Sequence, residues 1–94
     1  KPLAHFLQRY RHRYGLGAKE PIPSLMGTIH SYDSTHLLAK AMTQAKSNDR
    51  VAIRDALESM RPYSGILREY KPAFTKENHD ALERSLLHLG RFDD

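Results

Sequence analysis

Six histidines, His5, His12, His30, His36, His79 and His88, have the widest chemical range in this chain, since imidazole serves as metal ligand and as acid or base near neutral pH. Their spacing does not suit zinc: none forms a His-x-x-x-His pair or a His-Glu-x-x-His motif, and the chain has no cysteine. His79-Asp80 sets a carboxylate beside an imidazole, but adjacent side chains seldom face each other and no Gly-x-Ser-x-Gly elbow supplies a nucleophile, so the pair reads as a polar turn. Gly15-Leu16-Gly17 lacks the third glycine and the preceding strand of a dinucleotide-binding turn. Arg9, Arg11, His12 and Arg13 gather positive charge without a long basic track interleaved with aromatic rings, and read as a solvated helix face rather than a nucleic-acid site. No catalytic group, metal or cofactor is assigned. The remaining candidates for ligand contact are Tyr32 and Asp33, near the head of a helix, where a carboxylate is electrostatically favoured and a tyrosine hydroxyl can reach a neighbouring segment. Structural anchoring competes with ligand contact for both.

These residues must be positioned by a few short elements. Pro2 suits a first helical turn, Leu3, Phe6, Leu7, Tyr10 and Tyr14 share one face, and Gly15 and Gly17 can end the helix, predicting a helix over 2–14. Residues 15–27 form a connector, because Pro21-Ile22-Pro23 cannot continue a regular helix. Ser24 or Thr28 can cap a second helix of about four turns, ending near Lys46, on which Ile29, Tyr32, Leu37, Leu38, Ala41, Met42 and Ala45 make a wide apolar stripe. Ser47-Asn48-Asp49 offers a stop and a new cap. The third helix, to Met60, then buries Ile53, Ala56, Leu57 and Met60 and pairs Arg54 with Glu58 outside, so that 28–60 is a helical hairpin. Beyond Arg61-Pro62 the period changes: 65–70 and 86–92 read as two strands that pair across an intervening loop.

Ninety-four residues allow one small domain of marginal stability. A hydrophobic share of 39%, with 5 Tyr and 3 Phe, is enough for an ordered helical core. The formal charge of +4 admits anionic partners without naming one. No apolar run approaches the ~20 residues of a membrane span and Lys1-Pro2 begins no signal sequence, so the chain is expected to be soluble. The fold class expected is an α+β fragment, mainly helical, with three helices followed by a short two-strand element in a single unit over 1–94.

Four segments, in order, carry a family resemblance. Phe6-Leu7-Gln8-Arg9-Tyr10-Arg11-His12-Arg13-Tyr14-Gly15 is similar to a helix ending in a Tyr-x-x-x-aromatic-Gly pattern, and His30-Ser31-Tyr32-Asp33-Ser34-Thr35-His36-Leu37-Leu38-Ala39-Lys40-Ala41 to an Ala-Tyr-Asp-Ala helix. The helix from Asp49-Arg50 is similar to an Arg-Asp-Ala-Leu helix, and Tyr63-Ser64-Gly65-Ile66 to a Gly-rich lead into a strand, with 74–82 resembling the turn after it. Together they resemble the C-terminal part of a type I periplasmic ligand-binding protein serving branched-chain amino-acid and related ABC importers. Arg68 departs from the pattern where many relatives have a second glycine.

The resemblance implies a two-lobe α/β parent, periplasmic or extracellular, that binds a small solute of amino-acid or carboxylate type and delivers it to a membrane permease without catalysis. Most ligand contacts would then lie upstream, and the 15–27 connector would act as a crossover between lobes. It also implies a helix stripped of its sheet, hence a fragment expected to form homo-oligomers. The competing reading of the same residues is a small basic helical module that binds nucleic acid or another protein.

Overall fold

The computed structural model describes residues 2–66 and 68–93. Helix α1 covers Pro2–Tyr14, α2 Leu25–Ala45 and α3 Arg50–Glu58; strands β1 (Tyr63–Ser64) and β2 (Glu69–Tyr70) follow, then a single 3-10 turn at Arg84–Leu86. Among the described residues the class is α+β, with three α-helices and a two-stranded antiparallel sheet. Among the described residues no helix is long and apolar enough to cross a membrane.

Helix α1 ends where expected, at Gly15, whose φ of 66° lies in the left-handed region that glycine enters without steric cost. Leu3, Phe6, Leu7 and Tyr10 are half-buried, but no residue of α1 is fully buried. The connector is tied locally: Glu20 N–H donates to the Gly17 carbonyl at 3.1 Å, the Gly17 N–H donates to the Glu20 carboxylate, and the Arg11 guanidinium reaches the Glu20 carbonyl at 3.3 Å. Ile22, between its two prolines, is its buried contact.

Helix α2 begins three residues before Thr28 and runs for 21 residues, longer than the four turns expected. The Ser24 side chain makes no capping bond; instead Thr28 Oγ1 donates back to the Pro23 carbonyl at 3.2 Å, holding the first turn onto the connector. At its other end Lys46 adopts the left-handed conformation and its N–H closes on the Met42 carbonyl at 3.0 Å. Asp49 caps α3 as its position predicts, accepting from the Ala52 N–H at 3.0 Å. The expected Arg54–Glu58 pair is present at 3.7 Å.

The core is gathered at the α2–α3 end of the molecule: Leu37, Ala41, Ala56, Met60, Tyr70 and Ala73, flanked by Ala45, Ile53, Leu57, Tyr63, Phe74 and Ala81. The wide stripe of α2 divides. Ile29, Asp33, Leu37 and Ala41, at steps of four, are buried, while Tyr32, Leu38 and Met42 stay exposed.

The strand pair is corrected. Strand β2 pairs with β1 immediately upstream, in the register Tyr63↔Tyr70 and Ser64↔Glu69, and Gly65 N–H donates to the Arg68 carbonyl at 2.8 Å inside the turn. Pairing across a few residues loses less chain entropy than pairing across a long loop, so the local partner wins. Residues 86–92 consequently have no ladder: Leu87 is extended, at φ −83° and ψ 126°, but is exposed, as are Leu89 and Phe92. The radius of gyration, 15.9 Å, exceeds the about 12 Å of a compact domain this long, which fits a helix and a tail that bury little.

Two substitutions separate capping from packing. Asp49→Ala is expected to lower the unfolding free energy by about 1 kcal/mol, and Leu37→Ala by about 2–5 kcal/mol. Urea midpoints with an unchanged slope check both.

Candidate functional site

A polar residue set within an apolar ladder must find partners, because an unsatisfied buried carboxyl is costly. Asp33 meets this condition through a segment more than thirty residues away. It is 1% exposed; Oδ1 accepts from the Ile66 N–H at 2.9 Å, and Oδ2 from the same N–H at 3.2 Å and from the Tyr70 hydroxyl at 3.1 Å. One side chain thus clasps the turn between β1 and β2 to the middle of α2.

Gly65 is what permits the approach. A Cβ there would collide with the Asp33 carboxylate, whose carbon lies 2.7 Å away, and with the Tyr70 ring at 2.9 Å. Arg68 adds a second link, its Nη2 lying 3.3 Å from His30 Nε2, one turn before Asp33 on α2. Tyr63 stacks on Tyr70 with ring centroids 6.1 Å apart, and the Lys40 ammonium lies 5.2 Å from the Tyr63 centroid. Burial, then the negative charge of Asp33, then its hydrogen bond hold the Tyr70 phenol above the ordinary value of 10.0. Burial and then Asp33 raise Tyr63 as well.

Tyr32 faces the other way. Its ring meets Phe6 edge-on at 4.9 Å and His36 at 4.4 Å, and the series continues along α1 through Tyr10, 5.9 Å from Phe6, to Tyr14, 4.5 Å from Tyr10. This row of rings borders an open groove of about 930 Å³ between α1 and the β1–β2 turn, whose lining also includes His5, Arg9, His12, Arg13 and Tyr63 and, among the described residues, no acidic one.

The two sequence candidates are therefore separated. Asp33 has both oxygens engaged by the protein and is a structural anchor; Tyr32 docks α1 on α2 and lines the groove. Neither stands at the head of its helix, since α2 starts at Leu25 and Asp33 lies eight positions later, beyond the first turn where the helix dipole acts. The sequence by itself does not mark Gly65, Ile66, Tyr70 or the His30–Arg68 contact as site residues. The available signal was the run Ile29, Asp33, Leu37, Ala41: an acid on the buried step-of-four ladder announces a buried, bonded carboxyl.

The other candidates fall apart in space. His79 contacts Glu58 at 3.0 Å, joining α3 to the segment after the sheet, while the Asp80 carboxylate accepts from the Leu82 N–H at 2.9 Å. Among the described residues no three His, Cys, Asp or Glu side chains are grouped to hold a metal ion. No family model matches the chain, and no curated protein and no solved structure matches it either.

Asp33→Ala leaves the Tyr70 hydroxyl and Ile66 N–H without their acceptor and is expected to cost about 2–4 kcal/mol, Tyr70→Phe about 1 kcal/mol. Gly65→Ala is expected to cost about 1–3 kcal/mol by overpacking, and its effect shrinks without vanishing in the Asp33→Ala background, which removes the collision with the carboxylate and leaves the one with the Tyr70 ring. A double-mutant cycle in urea measures that coupling. The raised phenols also give a pH signature. Their contribution is constant below pH 10 and is lost as pH rises from 10.0 through the folded-state values, because the unfolded tyrosines ionise first. Urea midpoints between pH 9 and pH 11.5 should fall less steeply in Tyr70→Phe.

Proposed function

We propose that this chain is the C-terminal part of a solute-binding receptor of an ABC importer, working in the periplasm or outside the cell, whose parent protein captures a small amino-acid or carboxylate solute and passes it to a membrane permease without catalysis. The observation that carries the reading is the Asp33 clasp. The Tyr32-Asp33 helix motif and the Tyr63-Ser64-Gly65-Ile66 segment are two separate parts of the resemblance, and they meet in one buried hydrogen-bonded contact.

Further support comes from what α2 leaves uncovered. Leu38 and Met42, one turn apart, are exposed beside the buried ladder, as expected of a helix that covers a sheet in a two-lobe parent. In such a parent, closure of two lobes around a ligand is a hinge motion absorbed by a few connecting residues. The Pro21-Ile22-Pro23 connector and the turn held by Asp33 are the parts of this chain suited to that role: one restricts the backbone between α1 and α2, the other fixes where the chain leaves the helical hairpin.

The longer protein translated from the surrounding reading frame is expected to show alternating strand and helix segments upstream and to gain stability from at least one amino acid or small carboxylate. At a hundredfold excess over Kd the gain is about 2.7 kcal/mol. The 94-residue chain alone is expected to show no such binding by isothermal titration. Micromolar affinity in the isolated chain, or an upstream frame without that alternation, overturns the reading. Binding to a DNA or RNA oligomer that falls steeply with salt would support the basic helical module instead.

A further inference from the structure

Along α1 the sequence sets two parallel rows at steps of four, His5, Arg9 and Arg13 in one and Phe6, Tyr10 and Tyr14 in the other. Both rows line the groove beside α1, and no acid among the described residues shares it with them. His5, Arg9 and Arg13 are all exposed. Among the described residues neither arginine has a carboxylate partner, because the ion pairs lie at α3, beside β2 and near the end of the chain.

The other side of the groove is a strand edge. Its lining takes both residues of β1 and Gly65 and Ile66 of the turn, but neither residue of β2, so it runs along the edge of β1 that β2 leaves open. Gly65 N–H bonds to the Arg68 carbonyl, which makes Ser64↔Glu69, one step along, the pair that exchanges no ladder bond. The N–H and carbonyl of Ser64 therefore point away from β2, and Ser64 is exposed.

We propose that this groove binds an extended acidic segment of a partner protein, whose alternate carboxylates meet Arg9 and Arg13 and whose backbone adds to the edge of β1 at Ser64. The spacings agree. Arg9 and Arg13 are separated by about 6 Å along α1, and alternate side chains of an extended chain, which share one side, by about 6.6 Å. A free strand edge recognises main chain, and flanking side chains then set the sequence preference. Both walls favour a peptide over a nucleic acid. The rings lean on one another, Phe6 and Tyr10 at 46°, Tyr10 and Tyr14 at 45°, Phe6 and Tyr32 at 63°, and so do not offer the open faces on which successive bases stack. A sugar-phosphate chain also has no counterpart to the amide N–H and carbonyl that Ser64 can pair. The inference concerns a surface for a protein partner and does not rest on the solute-receptor reading.

The test titrates the full chain with a blocked peptide of about seven residues that alternates Glu with Thr, long enough to span the cationic row. Heteronuclear NMR reads both affinity and place. The amides of Arg9 to Tyr14 and of Ser64 are expected to shift together, those of residues 86–93 to stay, and binding to weaken as salt rises. Arg9→Glu/Arg13→Glu, at exposed positions, should weaken binding by about tenfold or more with unchanged far-ultraviolet circular dichroism, and should bind the peptide with Lys in place of Glu. N-methylation of alternate amides leaves every charge in place, and in one of the two alternating sets it should weaken binding by about threefold to tenfold. No shift at millimolar peptide overturns the proposal. So does a peptide of the same composition with its Glu residues clustered that binds as tightly, and so does indifference to both N-methylated sets, which would leave a charged surface without a strand site. An oligothymidylate of equal charge that binds more tightly than the peptide also overturns it, in favour of a nucleic-acid surface.

Discussion

The structure depends on one buried carboxyl. Helix pairing alone would leave the chain after Met60 free to take many paths, because α2 and α3 pack through small and aliphatic side chains that impose little direction. Asp33 supplies direction. By accepting from the Ile66 N–H and the Tyr70 hydroxyl it fixes both the turn and the far strand of the hairpin against α2, and Tyr70 then brings its ring into the same core as Leu37, Ala41, Ala56 and Met60. The bonds are valuable chiefly through what their loss would cost, since each partner would otherwise be left in a poorly solvated place. The two-residue strands are too short to be stable by themselves, so their pairing is a consequence of the clasp and the aromatic stacking behind it.

Around that point the molecule is lopsided. Among the described residues, every fully buried side chain lies on the connector, α2, α3 or β2, or is Met60 just beyond α3 or Ala73 just beyond β2, whereas α1 touches the rest through half-buried residues and a row of rings. Such contacts orient a helix without excluding water from it. The same holds for the tail, whose 3-10 turn is closed by local bonds, among them Leu86 N–H to the Glu83 carbonyl at 2.9 Å. Stability is therefore unevenly distributed, and the outer elements should open at lower free energy than the α2–α3 core.

The helices were legible in the sequence because their signals are local: the period of apolar residues, Pro2 at a first turn, Gly15 after a last one, and Asp49 three residues before the N–H it caps. The start of α2 was not, because its first turn is held by a bond from Thr28 to the connector rather than by a side-chain cap at Ser24. The role of Asp33 was legible only in part. Its place on the ladder shows that it is buried, but the partner that makes burial tolerable lies in a turn whose position depends on the hairpin register, a non-local fact. The strand at 86–92 failed for the same reason. Alternating leucines give a segment the capacity to pair, and which segment pairs is decided by competition for Tyr70, where the nearer chain has the entropic advantage.

A simple length constraint links the clasp, the groove and the uncovered side chains. At about 1.5 Å per residue α2 is about 30 Å long and α3 about 13 Å, so α3 can cover less than half of its partner. The remaining length must be met by something else, and within this chain three pieces share it: Ile22 of the connector, the turn clasped by Asp33, and Phe6 of α1 against Tyr32. Each is a point contact rather than a facing surface. Between two of them, α1 and the turn, a groove must open, because rings that touch at one point on a long helix diverge away from it. No rotamer change in the core closes that gap. It follows from pairing a helix of nearly six turns with one of fewer than three.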